Sequence, residues 1–340
     1  MGQRSILFCQ SEGVNGVKPV FFYDKYFIFE DPIGDKGPLV SVLIKKFESP
    51  FGLTISPCSS IFNPFDNVSL NQGKSMIKIG TSGFSFLDWK GTVYPVGIRE
   101  RDMLPFYEKE LGFKVLEVNF TYYTLPSQKS LAAMSQKTSK DFEFVVKSFR
   151  GMTHDIWDKE SGARIDNEEI FKKFKYSLVP LIEEEKLACV LAQFPYGFFP
   201  SQENLGYLGR FKEEMGDIPL VIEFRNQAWL KERTFELLES KGIGFCIVDE
   251  PKLPQLMPYV PKATSEIGYF RFHGRNLNWF NVPIKVRYDY LYSEKELREF
   301  VPGIQDISRK TGKTLIFFNN CYSGSAAKNA AQMARLLMNE

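Results

Sequence analysis

Eight short apolar runs, each followed by a stretch with helix signals or a polar loop, leave this chain few ways to fold. The runs are Ile77–Thr81, Val115–Asn119, Phe142–Lys147, Ala188–Gln193, Leu220–Phe224, Gly244–Asp249, Ile267–His273 and Lys313–Asn320. Apolar at nearly every position, they read as strands buried on both faces, as in a parallel sheet covered by helices. Helices are expected at about 100–111, from the cap Ser127 to 137, at 168–186, after the cap Ser201, at 230–241, after the capping box Ser293-x-x-Glu296, and at 325–338. The link after the sixth run is the weak one, because prolines interrupt the helical pattern. Eight such units between residues 77 and 338 fit the ~250 residues of a closed α/β (β/α)8 TIM barrel. An open doubly wound sheet is the alternative, but the first turn, Thr81-Ser82-Gly83-Phe84, lacks the G-x-G-x-x-G of a dinucleotide fold.

Residues 1–75 differ from residues 76–340. They hold Phe-rich pieces, Val20–Tyr23 and Tyr26–Phe29, broken by Gly, Pro and Asp, without helical period or polar constellation. They read as an irregular N-terminal extension: either a small β-rich appendage, or the product of a reading frame extended upstream of a natural start at Met76. The second is favoured slightly, because the regular pattern begins directly after Met76. N-terminal sequencing of the native protein decides between them.

The 43 basic and 41 acidic residues give a net charge of +2, so no whole-chain field favours nucleic acid; such binding would need a local patch. Five scattered cysteines form no C-x-x-C pair, which argues against a zinc site or disulfide framework. Cys321, beside two asparagines at a strand end, is a weak candidate for a reactive thiol. No run approaches the ~18 apolar residues of a membrane span, and no signal-peptide pattern opens the chain. A reduced, cytoplasmic protein is expected.

In a barrel of this kind the site lies at the C-terminal strand ends. Read off the sequence, these are Ser82, Asn119, Lys147, Gln193, Glu223 with Arg225, Asp249, His273 with Arg275, and Asn319 with Asn320. Alternation along the seventh strand sets Arg271, His273 and Arg275 on one side, where two or three cations beside an imidazole are costly unless paired or facing a cavity. His273 is the preferred proton carrier, with Glu223 or Asp249 beside it. Glu223 and Arg225 can equally be a structural pair, and Glu117 reads as a buried acid paired with a cation such as Arg271. His154, in Met152-Thr153-His154-Asp155, is either an inert loop residue or part of the site. Trp89, Trp229, Trp279, Tyr122 and Tyr123 are either rim packing or walls that stack a ring.

With two histidines and no H-E-x-x-H, no metal and no cofactor is expected. A Mg²⁺ held by Glu223 and Asp249 has no spacing signature. An anion fits better. The turn after Asn320, Cys321-Tyr322-Ser323-Gly324-Ser325, opens a helix with small residues whose N–H groups could hold phosphate, near Arg275 and Arg287.

Together these pieces resemble one family. Gly80-Thr81-Ser82-Gly83-Phe84-Ser85-Phe86-x-Asp88-Trp89, Glu117-Val118-Asn119-x-x-Tyr122-Tyr123 and Phe144-x-Val146-Lys147 with Thr153-His154 are similar to motifs of the YecE-like group, a domain of unknown function (number 72). Arg271-x-His273-Gly274-Arg275-Asn276, Arg287-Tyr288-x-Tyr290-x-Tyr292-Ser293 and Phe318-Asn319-Asn320 with Asn329-Ala330 complete the resemblance, which covers about residues 76–338. Phe84 and Phe86 stand where Trp and Tyr are expected. The resemblance implies a TIM barrel and no particular reaction, since a fold does not carry a function.

The expectation is therefore a metal-independent enzyme on a small polar anion such as a sugar phosphate. His273, Glu223, Asp249 and Lys147 would be catalytic. Asn119, Tyr123, His154, Gln193, Arg225, Arg271, Arg275, Arg287, Tyr288, Asn319 and Asn320 would bind substrate. A nucleic-acid-binding barrel and a non-catalytic ligand-binding barrel are the alternatives.

Overall fold

The computed structural model describes residues 22–23, 26–27, 69–72 and 75–339. Contacts divide the chain into two units, Met1–Ile61 and Phe62–Glu340. In the first, Phe22–Tyr23 and Tyr26–Phe27 pair as a two-residue antiparallel ladder. The expectation of an irregular extension otherwise falls outside the described residues.

The second unit is the barrel. Its strands are β1 (Ser75–Thr81), β2 (Val115–Val118), β3 (Glu143–Lys147), β4 (Leu187–Gln193), β5 (Leu220–Glu223), β6 (Gly244–Asp249), β7 (Ile267–Phe272) and β8 (Lys313–Phe318). All eight run parallel, each hydrogen-bonded to its neighbour in sequence from β2 round to β8, and β8 pairs with β1. A parallel bridge between Ser82 and Glu117 joins β1 to β2 and nearly closes the barrel. Gly80 permits that approach, since a Cβ there would lie 2.2 Å from the Val115 carbonyl oxygen. Ser69–Gln72 adds an antiparallel strand to β1, so the sheet begins before Met76.

The helices are α1 (Glu100–Lys109), α2 (Gln128–Ser135), α3 (Glu168–Glu183), α4 (Gln202–Met215), α5 (Glu232–Ser240), α6 (Ile284–Arg287), α7 (Glu294–Lys310) and α8 (Ser325–Asn339). Ser127, Ser201 and Ser293 cap α2, α4 and α7 as their spacing predicts. No helix forms between β6 and β7, where prolines remove N–H donors and hold the preceding residues extended. Among the described residues no helix is long and apolar enough to cross a membrane.

Two ends of the barrel follow from the strand sequences. At the N-terminal end Glu143 of β3 takes Lys78 of β1 (2.9 Å) and Lys313 of β8, a closed plug of ion pairs. At the C-terminal end the inward-facing row becomes wholly polar, and there the site forms.

Candidate functional site

A cavity of about 1290 Å³ opens at the C-terminal mouth. Its floor follows from strand alternation. Residues two apart on β5 and β7 point inward together, so Glu223 and Arg225 meet Arg271 and His273. Arg271 donates one N–H to Glu117 Oε1 (2.7 Å) and another to Glu223 Oε2, and Tyr269 donates to the other oxygen of Glu117 (2.7 Å). Arg225 Nε lies 2.6 Å from Glu223 Oε1, and its Nη1 donates to Glu250 Oε2 (3.1 Å). Two carboxylates thus neutralise two guanidiniums, with Glu250 behind them. Such a buried array holds together only because nearly every charge has a partner.

The acid–base properties follow from that packing. Burial pushes the Glu223 carboxyl up, but Arg225, Arg271 and His273 outweigh it and hold it well below the usual range. Glu250 is pushed up to about 7 by burial, with Arg225 opposing. Burial and then Arg225 lower His273 to about 3, so its ring is neutral near pH 7. The Asn319 amide donates to His273 Nδ1 (2.9 Å), which leaves the ring proton on Nε2, 3.3 Å from Glu223 Oε1.

Lys147, at the end of β3, is the exception among the cations. Its Nζ donates to Gln193 Oε1 (2.8 Å) and lies 4.8 Å from the centre of the Tyr122 ring. Among the described residues no carboxylate lies within 4.0 Å of it. Burial, then the charge of Arg271, lowers its pKa to about 7. His154 lines the same wall. Burial, then Lys147 and Arg225, lower it to about 4, and its Nδ1 meets Thr153 Oγ1 at 2.9 Å. On the opposite rim Arg287 lies over Trp279 at 5.6 Å, and its Nε has no hydrogen-bond partner among the described residues.

A sequence profile described as "Protein of unknown function DUF72" matches residues 78–340. The chain belongs to that family. The UPF0759 protein YunF of Bacillus subtilis is 33% identical over 275 residues, covering 77% of this chain and 95% of that protein. Among solved structures, a DUF72 protein of Thermotoga maritima is 46% identical with a TM-score of 0.72, over 77% of this chain and 99% of that one. One from Enterococcus faecalis is 28% identical with a TM-score of 0.68, over 77% and 96%. The membership agrees with the YecE-like motifs and with the barrel.

In this DUF72 chain, ten of the residues anticipated from sequence line the cavity: Asn119, Tyr123, Lys147, His154, Gln193, Arg225, Arg271, Arg287, Tyr288 and Asn319. Glu223 and His273 lie beneath its floor, fully buried, so His273 touches the cavity only through its neighbours. Asp249, Arg275 and Asn320 lie elsewhere. Asp249 points outward from β6, where it accepts from Arg275 Nε (3.0 Å) and from the Tyr292 hydroxyl (2.6 Å). Arg275 leaves the inward row because Gly274, with φ of 92°, turns the chain; a Cβ there would lie 2.6 Å from Tyr290 Cβ. Asn320 donates to the Tyr290 carbonyl (2.8 Å) and to Asn329 Oδ1 (2.9 Å).

The turn before α8 also differs from the expected anion cradle. The Ser323 N–H donates to Asp88 (2.6 Å), so a carboxylate of the chain itself occupies that donor. Cys321 is buried and its thiol is pushed up by that burial, which removes the ground for a reactive thiol. Trp89 and Trp229 are buried packing, whereas Trp279, Tyr122 and Tyr123 face the cavity. Glu250 was hidden from sequence reasoning, although alternation from Cys246, whose Sγ lies 3.9 Å from Glu223, points to it. Among the described residues no three His, Cys, Asp or Glu side chains cluster as a metal ion would need.

Proposed function

We propose that this chain is an enzyme that acts, without a resident metal, on a small polar substrate carrying a phosphate or carboxylate at the barrel mouth. One observation carries the reading: the cavity wall holds basic side chains that no carboxylate contacts among the described residues. Arg271 and Arg225 are matched by Glu117, Glu223 and Glu250, while Lys147 and Arg287 have no carboxylate partner among the described residues. A cavity with a guanidinium that no carboxylate contacts, low-dielectric walls and aromatic faces favours an anion with a polar body. Arg287 is the anion anchor in this reading. Gln193 and Asn319, together with Asn119, whose Oδ1 has no hydrogen-bond partner among the described residues, orient hydroxyls, and His273 positions Asn319 from beneath.

A nucleic-acid reading rests on Tyr123 and Phe280, which are 63% and 50% exposed at the mouth and could stack bases. One experiment separates the two: a thermal-shift screen with phosphorylated sugars, nucleotides and short single-stranded oligonucleotides at two salt concentrations. A ligand at a hundred times its Kd stabilises by about 2.7 kcal/mol. A shift with a sugar phosphate that disappears in Arg287→Ala supports the enzyme reading. Stabilisation by oligonucleotides alone, fading with salt, replaces it with the second.

A further inference from the structure

The lysines drawn inward in this barrel, Lys78 and Lys186 buried and Lys147 half-buried, are not held alike. Lys78 is saturated by Glu143 and by the Asp141 carbonyl (2.9 Å). Lys186 donates to the carbonyls of Ser135 (2.7 Å) and Thr138 (3.1 Å). Both are cations used as fasteners. Among the described residues Lys147 Nζ makes one hydrogen bond, to an amide oxygen, and otherwise meets a ring face and open cavity. Gln193 is itself fixed, because Arg225 Nη2 donates to the same oxygen (3.4 Å). An amide oxygen can only accept. In the free-base form it therefore holds an N–H of Lys147 and leaves the nitrogen lone pair to face elsewhere.

Two guanidiniums in the same floor, Arg271 and Arg225, disfavour a third positive charge there. Lysine is the side chain that proteins turn into an amine nucleophile by this kind of desolvation beside other cations. The partner of such an amine is a carbonyl carbon.

We propose that Lys147 forms an imine with an aldehyde or ketone that carries an oxoanion, its carbonyl carbon beside Nζ and its anionic group toward Arg287. The proposal rests on the anion reading above and adds the reacting group to it. The Nζ lone pair forms the C–N bond as the carbonyl π pair moves to oxygen. One proton passes from nitrogen to that oxygen, giving a carbinolamine. The hydroxyl then leaves with the remaining N–H proton as water, and the nitrogen lone pair closes the C=N bond. No electrons are gained or lost, and no co-reactant is needed. His154, neutral and on the same wall, is available as a relay for the proton that moves.

Borohydride trapping tests the proposal on the intact chain. The protein is mixed at pH 7 with a low concentration of pyridoxal 5′-phosphate, an anionic aldehyde, reduced, digested and mapped by mass spectrometry. Dihydroxyacetone phosphate and uncharged pyridoxal are run in parallel. An amine with a pKa near 7 presents about a thousandfold more free base at pH 7 than an ordinary surface lysine. The expected result is one reduced adduct, on Lys147, formed more slowly with uncharged pyridoxal and absent in Lys147→Arg. Mapping on the unaltered protein keeps the test valid even if that variant folds poorly. Adducts spread over surface lysines with Lys147 unlabelled overturn the proposal, as does labelling of Lys147 only above pH 9. If trapping fails while dihydroxyacetone phosphate still raises the melting point in an Arg287-dependent way, the imine falls and the anion reading stands. If neither is seen, both fall.

Discussion

Two clusters of arginine and carboxylate flank the ends of β6 and β7, one inside the barrel and one outside it. The inner cluster joins Arg271, Arg225, Glu117, Glu223 and Glu250. The outer one joins Arg275 to Asp249, Glu296 and Glu299, with the Tyr292 hydroxyl on Asp249. Their composition is nearly the same, and in sequence they interleave, since Asp249 and Glu250 are neighbours. The outer cluster ties the loop after β7 to the start of α7. The inner cluster borders a cavity with Lys147 and Arg287 beside it. A polar strand end is therefore not enough to mark a site: the face on which it emerges decides whether it fastens the fold or meets a ligand.

The largest effect that follows is on the inner cluster. Glu223→Gln removes the carboxylate shared by two buried guanidiniums, and breaking a buried pair of this kind costs about 3–5 kcal/mol. Chemical denaturation should show a loss in that range. A loss below about 1 kcal/mol would mean that Glu117 and Glu250 suffice to neutralise the floor.

The outer cluster should respond less and differently. Asp249→Asn keeps the Tyr292 contact and leaves Arg275 with Glu296 and Glu299, so a loss of about 1–3 kcal/mol is expected, the scale of a charged hydrogen bond. Any thermal shift by anionic ligands should be unchanged. If that shift disappears with Asp249→Asn, the separation of the two clusters is wrong.

The sequence showed the barrel because its period is local: each apolar run and each cap can be read within ten residues. It showed much of the mouth for the same reason. Asn119, Lys147, Gln193, Arg225, Arg271 and Asn319 lie on the inward face of strands or just beyond them, and two-residue alternation carries them to the cavity. Sequence and structure part at the end of β6 and where the chain stops obeying alternation. Counting from Cys246 sends Asp249 outward and Glu250 inward. Gly274 reverses the row before Arg275. The contact of Asp88 with Ser323 joins loops 235 residues apart, and no local pattern encodes it. The absence of a carboxylate beside Lys147 among the described residues is likewise a property of assembly, since it depends on which carboxylates the other strands have already committed.

The last effect is a slope, and it is read at the inner cluster. His273 is neutral in the folded barrel down to about pH 3 but takes up a proton near pH 6.5 when exposed. Between those values the unfolded chain binds more protons than the folded one, so acidification draws the equilibrium toward unfolding. His154 acts in the same direction down to about 4. Glu250 opposes both between 4.5 and about 7, because it holds its proton longer when folded; its contribution is lost as pH rises through 7. The wild-type slope is thus a sum, and the difference between two proteins isolates one part. His273→Gln should remove up to about 1.4 kcal/mol per pH unit of acid sensitivity below pH 6.5, read from denaturation midpoints across pH 4.5–7. Parallel profiles for the two proteins would mean that the folded ring takes up its proton no later than the unfolded one, against the depressed value that its burial implies.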